Sequence, residues 1–182
     1  MAEPVASLDV FPLERIGTLH GIAAELFVPF VIQRLSRSPQ DQSRDLDIEL
    51  VGVGGVAHDA RQLRITWELE SILELPAGVQ QNVVTEWAAL GIAAAVVWQY
   101  AGLRIETVAE VGSGFDFWVN DGRRTAGLEV SGTYAADLSG RRRQKAQQLV
   151  GNPHGVDGYV AVVRFDRAAA SVSFHRFSEV VS

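Results

Sequence analysis

The chain has 182 residues, 47% hydrophobic and 21% charged, which is the balance of one globular domain able to bury its own core. Its longest strictly apolar run, Trp87 to Trp98, has twelve residues where a bilayer core needs about 20, and the N-terminus MAEPVASLDVFPLER begins on an acid rather than on the basic residues of a secretory signal, so a cytoplasmic protein without a membrane segment is expected. The net charge of −6 belongs to residues 1–79, with 12 acids against 6 arginines, while residues 80–182 hold 10 acids and 10 bases and are where a polyanion would bind; the absence of cysteine excludes disulfides, thiolate metal sites and cysteine nucleophiles.

In chain order, residues 17–37 repeat apolar residues at spacings of three and four, which predicts an amphipathic helix that Pro29 kinks or ends early. After the polar loop SPQDQSRD, the runs DIELVGVGG and RQLRITWELESI predict two strands joined through VAHDA as a hairpin. LPAG at 75–78 separates an acidic extension, residues 1–79, from a core domain, residues 80–182. The core begins with an Ala-rich helix at about 82–101 that Asn82 would cap. Strands follow at 103–111, 114–120 and 125–133, the last two joined by the tight Asn-Asp-Gly turn at 120–122. A helix at about 137–150, a buried strand at 158–165 and an alternating strand at 171–177 complete the order αβββαβ plus one strand.

Asp116 stands between Phe115 and Phe117, and Glu129 between Leu128 and Val130, so each acid interrupts an apolar strand and needs a partner. Counted from a turn centre at 121, Asp116 is five residues before and Glu129 eight after, so a loop adjustment or a bulge is needed to bring them onto one face. Two carboxylates and a backbone carbonyl make a set of oxygen ligands for Mg²⁺ or Mn²⁺. On the following helix, Leu138, Arg142, Lys145 and Leu149 are spaced by four, three and four and form one stripe, which turns Lys145, the one lysine among 16 basic residues, towards the sheet.

The run GFDFWVNDGRRTAGLEVSGT followed by GRRRQKAQQL resembles the PD-(D/E)xK nuclease-like, or restriction endonuclease-like, superfamily over residues 80–177. The resemblance implies an α/β fold, an αβββαβ core with a mixed sheet flanked by helices, here preceded by the N-terminal helix and hairpin. It implies a nuclease that hydrolyses DNA or RNA with Mg²⁺ or Mn²⁺. Asp116 and Glu129 would be catalytic metal ligands, joined by the Val130 carbonyl and by Glu86 on the first core helix. Ser131 stands where the motif has its lysine, and Lys145 would replace that lysine from the helix. Arg141, Arg142 and Ser131 would contact substrate. Ordinary readings stand beside these: Asp116 capping backbone amides, Glu129 paired with an arginine such as Arg142, Lys145 and the Arg141–Arg143 run as a solvated helix face, and Glu86 favoured simply by the helix dipole.

The lost Glu-x-Lys lysine and the negative net charge also suit a non-catalytic scaffold of the same fold, docked to a protein partner through its N-terminal part or assembled as a homo-oligomer. The four histidines show no metal spacing and are expected at the surface or in packing, the glycine clusters at 52–55 and 112–114 in turns, and the four tryptophans in the core.

Overall fold

The computed structural model describes residues 8–71, 74–75, 77–166 and 169–178. Along the chain run β1 (Leu8–Pro12), α1 (Ile16–Leu19), α2 (Val28–Leu35), β2 (Ser43–Val51), β3 (His58–Thr66), α3 (Gln81–Ala101), β4 (Arg104–Val108), β5 (Phe117–Asn120), β6 (Thr125–Thr133), α4 (Leu138–Val150), β7 (Gly158–Phe165) and β8 (Ala170–Phe177). Among the described residues these strands form one mixed sheet of eight, in the order β1-β3-β2-β8-β7-β6-β5-β4, and the class is α/β. β4, β5 and β6 are an antiparallel meander, and α4 carries the chain from β6 across to β7, which lies parallel to it. β2 pairs in parallel with β8, so the N-terminal hairpin continues the same sheet.

Strand alternation sorts the side chains into two layers. Leu46, Ile48, Leu128, Val130, Ala161 and Val163 join the main core with α2 and α3, whereas Val160 and Val162 face the other way and pack with Ala146 of α4. α3 is apolar nearly all round, as a helix buried in a core must be. It is long and apolar enough by composition to cross a bilayer, yet most of it is buried inside the fold. Two glycines let it approach its neighbours: a Cβ on Gly91 would lie 2.5 Å from Val31 Cγ2 of α2, and one on Gly132 of β6 would lie 2.7 Å from the Thr85 carbonyl oxygen.

Several sequence expectations need correction. Residues 17–37 are not one helix but α1, a 3₁₀ turn at Ala24–Phe27 and α2. The break falls where Gly21 N–H donates to the Ile105 carbonyl of β4, and Pro29 sits in the first turn of α2, where its missing N–H costs nothing. The second hairpin strand ends at Thr66, and Leu69–Ser71 is a 3₁₀ turn; Ile72 and the Pro76 of LPAG lie outside the described residues. Gln80, not Asn82, is the N-cap of α3, and no side chain caps it. β4 and β5 are shorter than the runs 103–111 and 114–120. Trp67 is buried and Trp98 and Trp118 are half-buried, but Trp87 is 39% exposed, edged by Phe27 and Phe30.

Candidate functional site

The β5–β6 connection is not a tight Asn-Asp-Gly turn. Asn120 pairs with Thr125, and the four residues between them form a loop closed by the Asp121 carboxylate, which accepts from the Arg123 and Arg124 amides at 2.8 and 2.7 Å. The longer loop moves the hairpin centre to between Gly122 and Arg123, which leaves Asp116 and Glu129 equally far from it. Pairing of β5 with β6 ends at Phe117 and Leu128, and beyond that point the strands part. At the parting, the Asp116 amide donates to the Leu128 carbonyl at 3.0 Å, and its carboxylate Oδ2 accepts from the Val130 amide at 2.8 Å. The N–H and C=O of one strand residue leave on the same edge, so the Val130 carbonyl is directed to the edge where Asp116 sits.

α4 is started by Asp137, whose side chain accepts from the Ser139 amide at 2.8 Å. Its inward stripe holds Leu149 buried and Leu138, Arg142 and Lys145 half-buried. Glu129 is 3% exposed. The Lys145 ammonium forms an ion pair with Glu129 Oε1. Burial, with the Asp116 charge added to it, raises the Glu129 carboxyl above its ordinary value, and the Lys145 hydrogen bond and charge oppose the rise. One turn earlier on α4, Arg141 Nε donates to Ser131 Oγ at 2.8 Å, and Ser131 is itself buried.

Arg142 goes elsewhere. Its Nη1 reaches Glu49 Oε2 at 3.2 Å, Ser173 Oγ at 3.0 Å and His175 Nε2 at 2.9 Å, which ties α4 to β2 and β8. His175 Nε2 also lies 3.3 Å from Glu49 Oε2, so it accepts from Arg142 in the neutral tautomer that leaves Nε2 bare and donates to Glu49 when Nε2 carries its hydrogen. Burial first, then the Arg142 charge, lower the His175 pKa and favour that neutral form, against the pull of Glu49. Burial raises Glu49, but bonds from Ser173 and His175 and the Arg142 charge more than offset it, and its carboxyl is held low. His58 lies 3.5 Å from the other Glu49 oxygen. A surface cavity of about 530 Å³ opens beside this node, lined by Asp47, Glu49, Gln62, Leu138 and Ser173.

The structure therefore brings Asp116, Glu129, Lys145 and the Val130 backbone to one sheet edge, with Ser131 and Arg141 next to them. Glu86 is not with them: it is exposed on α3, in the layer across the sheet, where its neighbours Thr85 and Ala89 pack on Gly132. Among the described residues no group of three or more Asp, Glu or His side chains has the geometry to hold a metal ion. Sequence reasoning missed Glu49, Ser173 and His175; the alternating polar residues of SVSFHRF were the available sign that β8 keeps a polar row on the α4 face. Comparisons of the chain with protein-family models, with curated proteins and with solved structures found no match.

Proposed function

We propose that this protein is a metal-dependent nuclease with a restriction endonuclease-like core, hydrolysing phosphodiester bonds of DNA or RNA at the Asp116–Glu129–Lys145 edge. The observation that carries this reading is the Lys145 ammonium seated on the buried Glu129 carboxylate, reached from the helix after β6 rather than from the strand. A meander whose third strand leads through a helix to a parallel fourth strand supports the same reading.

The residues fit Mg²⁺ or Mn²⁺. Two carboxylates and a carbonyl are the hard oxygen donors such ions take. The raised Glu129 carboxyl reports desolvated negative charge that one ammonium offsets only in part, which is the electrostatic condition a divalent cation relieves. Asp116 and Glu129 would hold the ion with the Val130 carbonyl, and when bound it would polarise the phosphodiester and make water more acidic. The Val130 amide fixes the Asp116 carboxylate. Lys145 opposes the burial that raises Glu129, favouring its ionised form, and would set a positive charge where the phosphate lies.

Purified protein incubated with single- and double-stranded DNA and RNA in Mg²⁺ or Mn²⁺, over a range of salt, is expected to cleave at least one of them. Asp116→Asn, Glu129→Gln and Lys145→Ala should each lower the rate by about 10²-fold or more. A wild-type chain that neither cleaves any of these nor binds Mn²⁺ by calorimetry would overturn the proposal in favour of a non-catalytic scaffold of the same fold.

A further inference from the structure

Ser131 stands at the third position of the strand motif, where the sequence expectation has it touch substrate itself. The structure assigns it another role: we infer that Ser131 is the seat of a second cation, Arg141, and that this guanidinium grips the substrate phosphodiester beside the Lys145 ammonium. The inference rests on the nuclease reading and deepens it by naming the group that holds the polyanion.

The geometry is that of two rungs. Glu129 and Ser131 are two residues apart on the α4 side of β6, about 6.6 Å along the strand at ~3.3 Å per residue. Arg141 and Lys145 are four residues apart, neighbours on one helix face. Lys145 lies on Glu129 and Arg141 on Ser131, so the helix sets its two cations along the strand at a matching spacing. The hydroxyl of Ser131 carries no charge, and its bond to Nε orients Arg141 without neutralising it. Arg141 Nη1 has a second, longer contact with Gln144 Oε1 at 3.3 Å. Among the described residues no other partner holds this exposed guanidinium, so its end-on edge, Nη1 and Nη2, keeps the paired donors that fit two oxygens of a phosphodiester. Arg142, the adjacent arginine, cannot serve in this way because Glu49, Ser173 and His175 already hold its Nη1 under the helix.

The test is binding without cleavage. A fluorescein-labelled 20-mer duplex and its single strand are titrated in EDTA, and the dissociation constant is followed by anisotropy between 50 and 250 mM salt. Arg141→Gln should lower the slope of log affinity against log salt by about 0.9 on the duplex, the loss of one phosphate contact. Arg143→Gln should leave it unchanged. Ser131→Ala and Arg141→Lys keep the charge but lose the seat, so each should keep the slope while weakening binding about two- to fivefold, and Ser131→Ala added to Arg141→Gln should change nothing more. A merely structural tether between α4 and β6 would alter the melting temperature and leave the slope alone.

If Arg141→Gln leaves the slope at the wild-type value, or Arg143→Gln lowers it equally, the inference is overturned, and a wild-type chain that still cleaves leaves the nuclease reading standing. A wild-type chain that binds neither oligonucleotide overturns the inference, and one that also neither cleaves them nor binds Mn²⁺ overturns the nuclease reading with it.

Discussion

Replacing Lys145 with methionine keeps most of the side chain and removes its charge. Glu129, with 5% of its side chain exposed, would then hold a charge beside Asp116 with no cation. Breaking a buried ion pair costs about 3–5 kcal/mol. Lys145 keeps 18% of its side chain exposed, so water already reaches it and a loss of about 2–3 kcal/mol at pH 8 is expected. For a chain of this size that is about 4–12 °C of melting temperature. The pH dependence identifies the cause. Glu129 sits above its ordinary 4.5 in the wild type, through burial first and the Asp116 charge second, and the substitution raises it further. A carboxyl whose folded value lies above its unfolded one stabilises fully below the unfolded value, and that contribution is lost as pH rises through the folded value. The variant loses it over a wider span, so the gap between the two proteins is small near pH 4.5, widens as pH rises through the raised value, and is larger at pH 8. Urea unfolding followed by tryptophan fluorescence at the two pH values measures it. A gap equal at both, or below about 0.5 kcal/mol at pH 8, would mean a solvated surface pair and would refute the burial argument.

Asp116→Asn keeps an acceptor for the Val130 amide but removes the charge that helps to raise Glu129, so stability should move by less than about 1 kcal/mol while calorimetric Mn²⁺ binding disappears; retained binding would refute the site. Gly132→Ala puts a Cβ 2.7 Å from the Thr85 carbonyl oxygen and should cost about 1–3 kcal/mol by thermal melt, whereas a neutral result would show that α3 can ride away from the sheet. His20 is buried, donates from Nε2 to the Ala94 carbonyl and accepts from the Ile105 amide at Nδ1, and burial lowers it from 6.5 to about 4. Its neutral form stabilises fully above 6.5, and the contribution, about 3 kcal/mol in all, is lost as pH falls through about 4. The melting profile of His20→Asn should therefore fall less steeply than that of the wild type between pH 6.5 and 4.5, and parallel profiles would contradict the assignment.

The α/β class and the elements α3, β6, α4 and β7 were legible along the chain because each carries its own periodicity over eight or more residues, strong enough to state which face is apolar. Asp116, Glu129 and Lys145 were legible as candidates for the same reason, since a charge inside an apolar strand or on an inward helix stripe breaks a local pattern. What the chain alone did not show depends on groups far apart in it. The N-terminal helix breaks where Gly21 meets β4, a contact that no pattern within residues 17–37 announces. The β5–β6 loop takes four residues because the Asp121 side chain closes it, and that choice of register brings Asp116 level with Glu129. The layer in which Glu86 lies follows from which sheet face α3 covers. Arg142 and Arg141 are neighbours in the same basic run, yet one is bound to residues of β2 and β8 and the other to β6, because a helix turns successive side chains about 100° apart and the sheet beneath offers each a different row.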